Sequence, residues 1–323
     1  MFWTVLGILQ KRLVWAIPVA MVLGLISGAV MDPRPLKPLI LPVTILMIYP
    51  IMVTLDVRNL VADCRFRLLG LVQLANLLLI PLLGWGLGRL FFPGDPLRAF
   101  GLLLMATLPT SGMTISWTRF AGGQVAAAVK MTVLGLLLGS LLVPFYAVLF
   151  MGQAVDLDLL ATLKKILLVV FVPLIAGLGT QIVLRRVYGD EVFNKRIKPR
   201  FPSLSTVAVL AIIYIAMALR AQTILSNPGQ LLEILPPLVL FYLVAYGVGT
   251  LAGRALLPRG EAVVLVFSTA MRNLSLALAL AMTVLGPEGA EAALVIAVAY
   301  VLQVQSAAWF VGRADRFFGP PPA

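Results

Sequence analysis

The chain is a succession of apolar runs, each about as long as the hydrocarbon core of a bilayer is thick, and few folds accept such a sequence. A helix needs about 20 apolar residues to cross a core of about 30 Å. Residues 13–31, 38–54, 68–92, 97–118, 124–151, 159–183, 204–224, 231–257, 262–285 and 290–311 provide runs of this kind. Ten transmembrane helices are therefore predicted. The class is an all-α integral membrane protein, because lipid leaves the backbone of a spanning segment no partners but its own. Composition agrees: 61% of the 323 residues are hydrophobic, against about 45–50% in a soluble domain.

Charge sets the topology. With the N-terminus in the cytoplasm, 16 Lys and Arg fall on the cytoplasmic side and 7 outside, while Lys130 and Arg272 lie within spans. The excess of basic residues on one side places both termini in the cytoplasm and the protein in the cytoplasmic (inner) membrane. The net charge of +12 is then topological, and no basic tail or basic/aromatic motif points to nucleic acid. The lipid bilayer is the expected partner, and the oligomeric state is left open. In MFWTVLGILQKRLVW the apolar stretch precedes Lys11 and Arg12, the wrong order for a signal peptide, so the segment reads as an interfacial lead-in. There is no histidine, and the single cysteine, Cys64, sits in a loop with Asp63, Arg65 and Arg67. Disulfide frameworks and Cys/His metal sites are excluded by count. All 13 carboxylates fall in loops or at span ends, so no intramembrane acid/base pair is available and an enzyme is not expected.

The long cationic loop RRVYGDEVFNKRIKPRFPS, at about 184–203, is read as following the first five-span half and divides the chain into halves. Local matches link them. AIPVAMVLGLI around Pro18 recurs as FVPLIAGLGTQI around Pro173, LMIYPIM around Tyr49 as AIIYIAM around Tyr214, and LGWGLG around Trp85 as VAYGVG around Tyr246. The offsets are 155, 165 and 161 residues. Because five is odd, the second copy must enter the membrane from the other side. Two inverted five-helix repeats are the expected organisation, as in secondary transporters.

The same offset pairs two unusual stretches. LPTSGMTISW, 108 to 117, interrupts the fourth span with Pro109, Thr110, Ser111 and Gly112. Proline removes a donor and clashes with the preceding turn, while glycine tolerates non-helical angles. Its counterpart in the ninth span is Ser268-Thr-Ala-Met-Arg272-Asn273. Paired interruptions in the two halves point to a substrate site at the midplane. Arg272 lies eleven residues from Glu261 and fourteen from Gly286, about 15 Å deep, where an arginine costs at least about 2.5–3.5 kcal/mol unless it faces a polar interior. Lys130 is seven residues into its helix counted inclusively from Gln124, about 10 Å. Its stem can reach the interface or face the site, and the sequence permits both. Asn76 in the third span and Gln303 and Gln305 in the tenth are the remaining isolated amides.

On these residues the chain resembles, over essentially its whole length, the bile acid:sodium symporter family and its sister family of arsenite efflux permeases. The resemblance implies discontinuous, crossed helices four and nine, a panel of spans 1, 2, 6 and 7, and a core of spans 3–5 and 8–10 carrying the site. The symporters have Pro-Gly-Gly-Thr-x-Ser-Asn in helix four and Glu-x-x-Met-Gln-Asn in helix nine, which hold two sodium ions. Here the stretches read Pro109-Thr-Ser-Gly-Met-Thr114-Ile115 and Ser268-Thr-Ala-Met271-Arg272-Asn273. Asn76 matches an amide of helix three and Thr132 a sodium-ligand hydroxyl of helix five. The glutamate is replaced by Ser268, the sodium-binding asparagine by Ile115, a serine by Ala128 and the glutamine by Arg272. Loss of the carboxylate and gain of fixed cations speak against strong sodium sites, so no cofactor is expected. Lys130, Arg272, Thr132 and Ser268 take the coupling or ion-replacing positions. In the arsenite branch the helix-four cysteine corresponds to Thr110 and the helix-nine glutamate to Ser275.

The expected function is secondary transport of a small organic anion. Asn76, Pro109, Thr110, Ser111, Gly112, Thr114, Arg272, Asn273 and Gln303 form the expected substrate site. Arsenite or metalloid efflux is the first alternative, and a sodium-dependent symporter with altered ion sites the second.

Overall fold

The computed structural model describes residues 13–54, 65–151 and 159–320; the N-terminal lead-in and Cys64 lie outside the described residues. The described residues are almost entirely helical: α1 (Leu13–Val30), α2 (Ile40–Val53), α3 (Phe66–Leu74), α4 (Ile80–Phe91), α5 (Pro96–Thr107), α6 (Gly112–Phe120), α7 (Val125–Met151), α8 (Leu159–Val192), α9 (Phe201–Ser226), α10 (Gly229–Leu256), α11 (Arg259–Ala270), α12 (Leu274–Val284), α13 (Gly289–Val311) and α14 (Ala314–Phe318). By length and composition six helical stretches can cross a membrane: Arg34–Val53, Phe66–Phe91, Val125–Phe150, Phe171–Ser226, Gly229–Leu256 and Gly289–Val311. Shorter apolar helices are Trp15–Val30, Pro96–Thr107 and Leu274–Val284. The 56-residue stretch Phe171–Ser226 is more than twice a crossing length, and Gly189, at φ 81°, breaks the helical path within it.

The helices cluster in two compact units. In the first, α9 packs on α1 and α2, and α2 on α8; residues Ser275–Ala297 belong to it as well. Close approach of α1 to α9 depends on Gly24 and Gly28, four residues apart on one face. A Cβ on Gly24 would lie 2.5 Å from the Tyr214 carbonyl oxygen, and one on Gly28 would strike the Ala218 backbone. This is the small-residue packing that membranes favour where no hydrophobic force draws helices together. Ser205 Oγ donates to the Met47 carbonyl at 2.7 Å and Gln181 Nε2 to the Val53 carbonyl at 2.9 Å, which ties α9 and α8 to α2.

The second unit contains α3 to α7, α10, α11 and the chain from Val298. Its α4 packs on α5, α5 and α6 pack on α7, and α11 packs on α3, α6 and α7. Between α3 and α4 the helix widens into a π turn, Ala75–Leu79. Pro81 accounts for part of this: it has no N–H for the carbonyl four residues back, that of Leu77. The Tyr146 hydroxyl of α7 donates to that carbonyl instead.

Both predicted interruptions are present. Helix α5 stops at Thr107 and α6 starts at Gly112, as Pro109 and Gly112 led us to expect. In the second half the break is narrower than the polar run suggested: Ser268 and Thr269 remain within α11, and only Met271, Arg272 and Asn273 leave the helix.

Candidate functional site

Pro109 and Arg272 face each other as an isolated antiparallel bridge. The Thr110 amide donates to the Met271 carbonyl and the Asn273 amide to the Leu108 carbonyl, both at 2.9 Å. The two breaks thus satisfy each other's backbone, which unwound chain at membrane depth requires. This explains how α11 ends with neither proline nor glycine. Thr110 has φ 55°, a left-handed conformation that a β-branched residue adopts only at a cost of about 1–3 kcal/mol. Its hydroxyl donates to the Pro109 carbonyl at 2.8 Å and to the Thr132 carbonyl at 3.2 Å. Thr132 Oγ1 itself donates to the Ala128 carbonyl at 2.8 Å. On α7, Gly135 and Gly139 make room for the break. A Cβ on Gly135 would lie 2.7 Å from Thr110 Oγ1, and one on Gly139 would collide with the Pro109 ring.

Arg272 is 0% exposed. Its Nε donates to the Met105 carbonyl at 3.2 Å, one Nη to Asn76 Oδ1 at 2.7 Å and to the Thr269 carbonyl at 3.2 Å, and the other Nη to the Ala106 carbonyl at 2.5 Å. Met105 and Ala106 are in the last turn of α5, and Thr269 in that of α11. Carbonyls there lack intrahelical donors, and each helix C-terminus carries roughly half a negative charge. Two such ends together roughly balance one guanidinium, so this cation is accommodated without a carboxylate. Gln303 completes the arrangement around the main chain. Its Oε1 accepts from the Arg272 amide at 2.7 Å, and its Nε2 donates to the Arg272 carbonyl at 3.2 Å.

A sodium ion does not fit among these oxygens while the guanidinium holds them. Among the described residues the acceptors around Arg272 are all neutral oxygens, and a second unit charge about 4 Å away would cost about 4 kcal/mol at an effective dielectric near 20. Among the described residues no group of three or more His, Cys, Asp or Glu is placed to hold a metal ion.

Of the residues singled out by the sequence, Asn76, Pro109, Thr110, Arg272 and Gln303 are joined by direct hydrogen bonds or the bridge, Thr132 is tied in through its carbonyl, and Asn273 through the Leu108 carbonyl. Thr114 is buried, and its Oγ1 accepts from the Ser111 amide at 3.2 Å at the start of α6. Ser111 and Thr114 form a capping box at the start of α6, while Ser268 Oγ is buried with no hydrogen-bond partner. Gly112 is exposed, and a Cβ there would meet open space, so the α6 N-terminus is accessible. Lys130 is elsewhere. It lines a cavity with Arg65 and Gln124, and two residues along a helix is a turn of about 200° from Thr132. Gln305, likewise two residues from buried Gln303, is exposed.

Four contributors were missed. Gly135 and Gly139 could have been found as a small-xxx-small pair facing a break. Tyr242, whose hydroxyl donates to the Ala299 carbonyl and Gln303 Oε1 at 3.3 Å, carries no sequence signal of its own. Gln73, one turn before Asn76, has both amide atoms buried and unpartnered; the Gln-x-x-Asn spacing was its signal.

Comparison with known proteins follows the same lines. The model of the Sodium Bile acid symporter family matches residues 41–227, more than half of the chain. The Bacillus subtilis protein YbaS is 26% identical over 247 residues, 74% of this chain and 76% of YbaS. The arsenical-resistance protein Acr3 of Corynebacterium glutamicum is 22% identical over 237 residues, 70% of this chain and 64% of Acr3. The probable sodium/metabolite cotransporter BASS3, chloroplastic, of Oryza sativa subsp. japonica is 29% identical over 177 residues, 54% of this chain and 40% of that protein. The match to the last two thus spans less than two thirds of their lengths. By its helices, its paired breaks and the extent of the family match, the chain belongs to the sodium bile acid symporter family of multi-pass membrane transporters.

Proposed function

We propose that this protein is a secondary transporter of a small organic anion across the cytoplasmic membrane, working by alternating access and without the usual two-sodium coupling. The carrying observation is Arg272: a fully buried cation bonded to neutral oxygens at two helix C-termini. It stands where the family resemblance expects a sodium ligand and does the electrostatic work of a bound cation. With four of its five N–H groups engaged, its role here is ion replacement first, and any contact with substrate is indirect. Substrate recognition falls to the accessible α6 N-terminus with Ser111, Gly112 and Thr114, together with Asn273. A helix N-terminus offers unpaired N–H groups and positive charge to an anion.

In this reading α1, α2, α3–α4, α5–α6, α7, α8, α9, α10, α11–α12 and α13 are the ten spans, arranged as two inverted repeats with both termini cytoplasmic. The panel would hold spans 1, 2, 6 and 7 and the core spans 3–5 and 8–10. Support comes from the mutual packing of α1, α2, α8 and α9; residues Ser275–Ala297 cluster with them and are where packing and this division differ. Counterflow in proteoliposomes is the test: it should be saturable, independent of sodium, and lost in Arg272→Ala. Strict sodium dependence with normal activity in Arg272→Gln would refute the reading and favour a sodium symporter with altered ion sites.

The similarity to Acr3 supports a second reading, arsenite or metalloid efflux. Resistance conferred on an arsenite-sensitive host would support it, and its absence at normal expression would count against it.

A further inference from the structure

Ion pairs between helices differ in what they connect. Arg65–Glu261 joins the start of α3 to α11, and Arg98–Glu233 joins α5 to α10. All four residues lie in the second compact unit and, in the transport reading, in the core. Arg220–Glu291 is of another kind. Arg220 is on α9, which that reading gives to the panel, and Glu291 is in the first turn of α13, which it gives to the core.

Glu291 is carried by a hairpin of α12 and α13. Gly286, at φ 59°, turns the chain between the two helices. A Cβ on Gly289 would strike the Ala281 carbonyl, so the helices meet closely at the turn and the hairpin behaves as one piece. Its residues, Ser275–Ala297, cluster with the first unit, although the chain on both sides of them, up to Leu274 and from Val298, belongs to the second. The later boundary falls inside the continuous helix α13. A contact that has to part during turnover is expected where one body's chain is held by the other.

The chemistry of the pair suits such a contact. The Glu291 side chain is 8% exposed and that of Arg220 27%. The cost of desolvating two charges nearly cancels their attraction, so a pair of this kind demands one geometry while adding little net stability. An apolar contact would resist opening, because parting exposes its surface to water. Here water can replace each partner on opening.

We propose that Arg220–Glu291 is a latch that holds the α12–α13 hairpin against α9 in this conformation and parts when the core moves against the panel. The latch rests on the alternating-access reading above.

Double electron–electron resonance on the full chain in proteoliposomes tests it. Spin labels are carried by Ser226→Cys and Glu288→Cys, both at exposed positions beside the pair, after Cys64→Ser removes the single native cysteine. The parent should show mainly the distance of this structure. Arg220→Ala and Glu291→Gln should each raise the ratio of a longer distance to this one at least about fivefold, the lower end for contacts that bias a two-state equilibrium. Glu233→Gln, which breaks a pair inside the second unit, should leave the ratio unchanged. If Arg220→Ala does not fold, the near-isosteric Glu291→Gln carries the test alone. An unchanged ratio with a lowered unfolding midpoint would make the pair a fixed structural tie and overturn the latch, as would an equal shift in Glu233→Gln. Counterflow separates the two readings: its absence in wild type with a shifted ratio would count against transport alone, and normal counterflow with an unchanged ratio against the latch alone.

Discussion

Replacing Arg272 with glutamine probes the ion-replacement reading most directly. The wild-type guanidinium serves four acceptors: the carbonyls of Met105, Ala106 and Thr269, and Asn76 Oδ1. A glutamine amide has two N–H groups, so at least two acceptors lose their donor. Each buried, unsatisfied group costs about 1–3 kcal/mol, a loss of about 2–6 kcal/mol. Relief from burying a charge offsets part of it. At about 2 °C per kcal/mol for a large chain, the unfolding midpoint in detergent should fall by roughly 4–12 °C, less that offset. The same substitution leaves three carbonyls, the Asn76 oxygen and a new glutamine oxygen around a space without its cation, a set of hard ligands that suits sodium. Sodium chloride at 100 times its dissociation constant would return about 2.7 kcal/mol, so the variant should regain roughly half of its loss. Equimolar choline chloride should not reproduce this, since it matches the screening but not the ion. Wild type should show no sodium-specific shift. A variant as stable as wild type, or a wild type stabilised by sodium over choline, would refute the reasoning.

Other outcomes follow from the packing. Gly139→Leu should destabilise by several kcal/mol, because its side chain would overlap the Pro109 ring, and loss of transport without loss of membrane insertion would show the damage is local; normal counterflow would contradict the fit described for α7. Gly28→Leu should separate α1 from α9 and lower the unfolding midpoint, whereas the same change at Gly70, where a Cβ meets open space, should have little effect. Tyr146→Phe should cost about 1–2 kcal/mol by orphaning the Leu77 carbonyl. In a Pro81→Ala background, where the alanine N–H can serve that carbonyl, the cost should shrink; additivity in this double-mutant cycle would show that the two residues are not linked.

How much of this was legible depends on range. The break at 108–111 was readable because proline and glycine act on their own backbone. The outlier status of Arg272 was readable because the penalty for a charge at mid-membrane belongs to the residue itself. Other features were set by partners far along the chain. Met271 to Asn273 leave the helix because 108–110 supply their hydrogen bonds, so no local signal marked that boundary, and the polar run from Ser268 suggested a wider break than exists. The side chosen by Lys130 turned on which face of α7 is covered, and Ala128 and Thr132, buried on the opposite face, decide it.

The arginine shows where sequence reasoning stops and structure takes over. A penalty of at least about 2.5–3.5 kcal/mol says that Arg272 must be compensated, and the confinement of the carboxylates to loops and span ends leaves the compensating group unnamed. The breaks themselves supply it. Unwinding α5–α6 and α11–α12 creates two buried helix C-termini, each with orphaned carbonyls and about half a negative charge. Left alone, those ends would be as costly as the arginine. Brought together by the Pro109–Arg272 bridge, they and the guanidinium cancel one another's cost. The broken helices and the buried cation are therefore one feature: a chain that kept the breaks and lost the arginine would need a cation from solution.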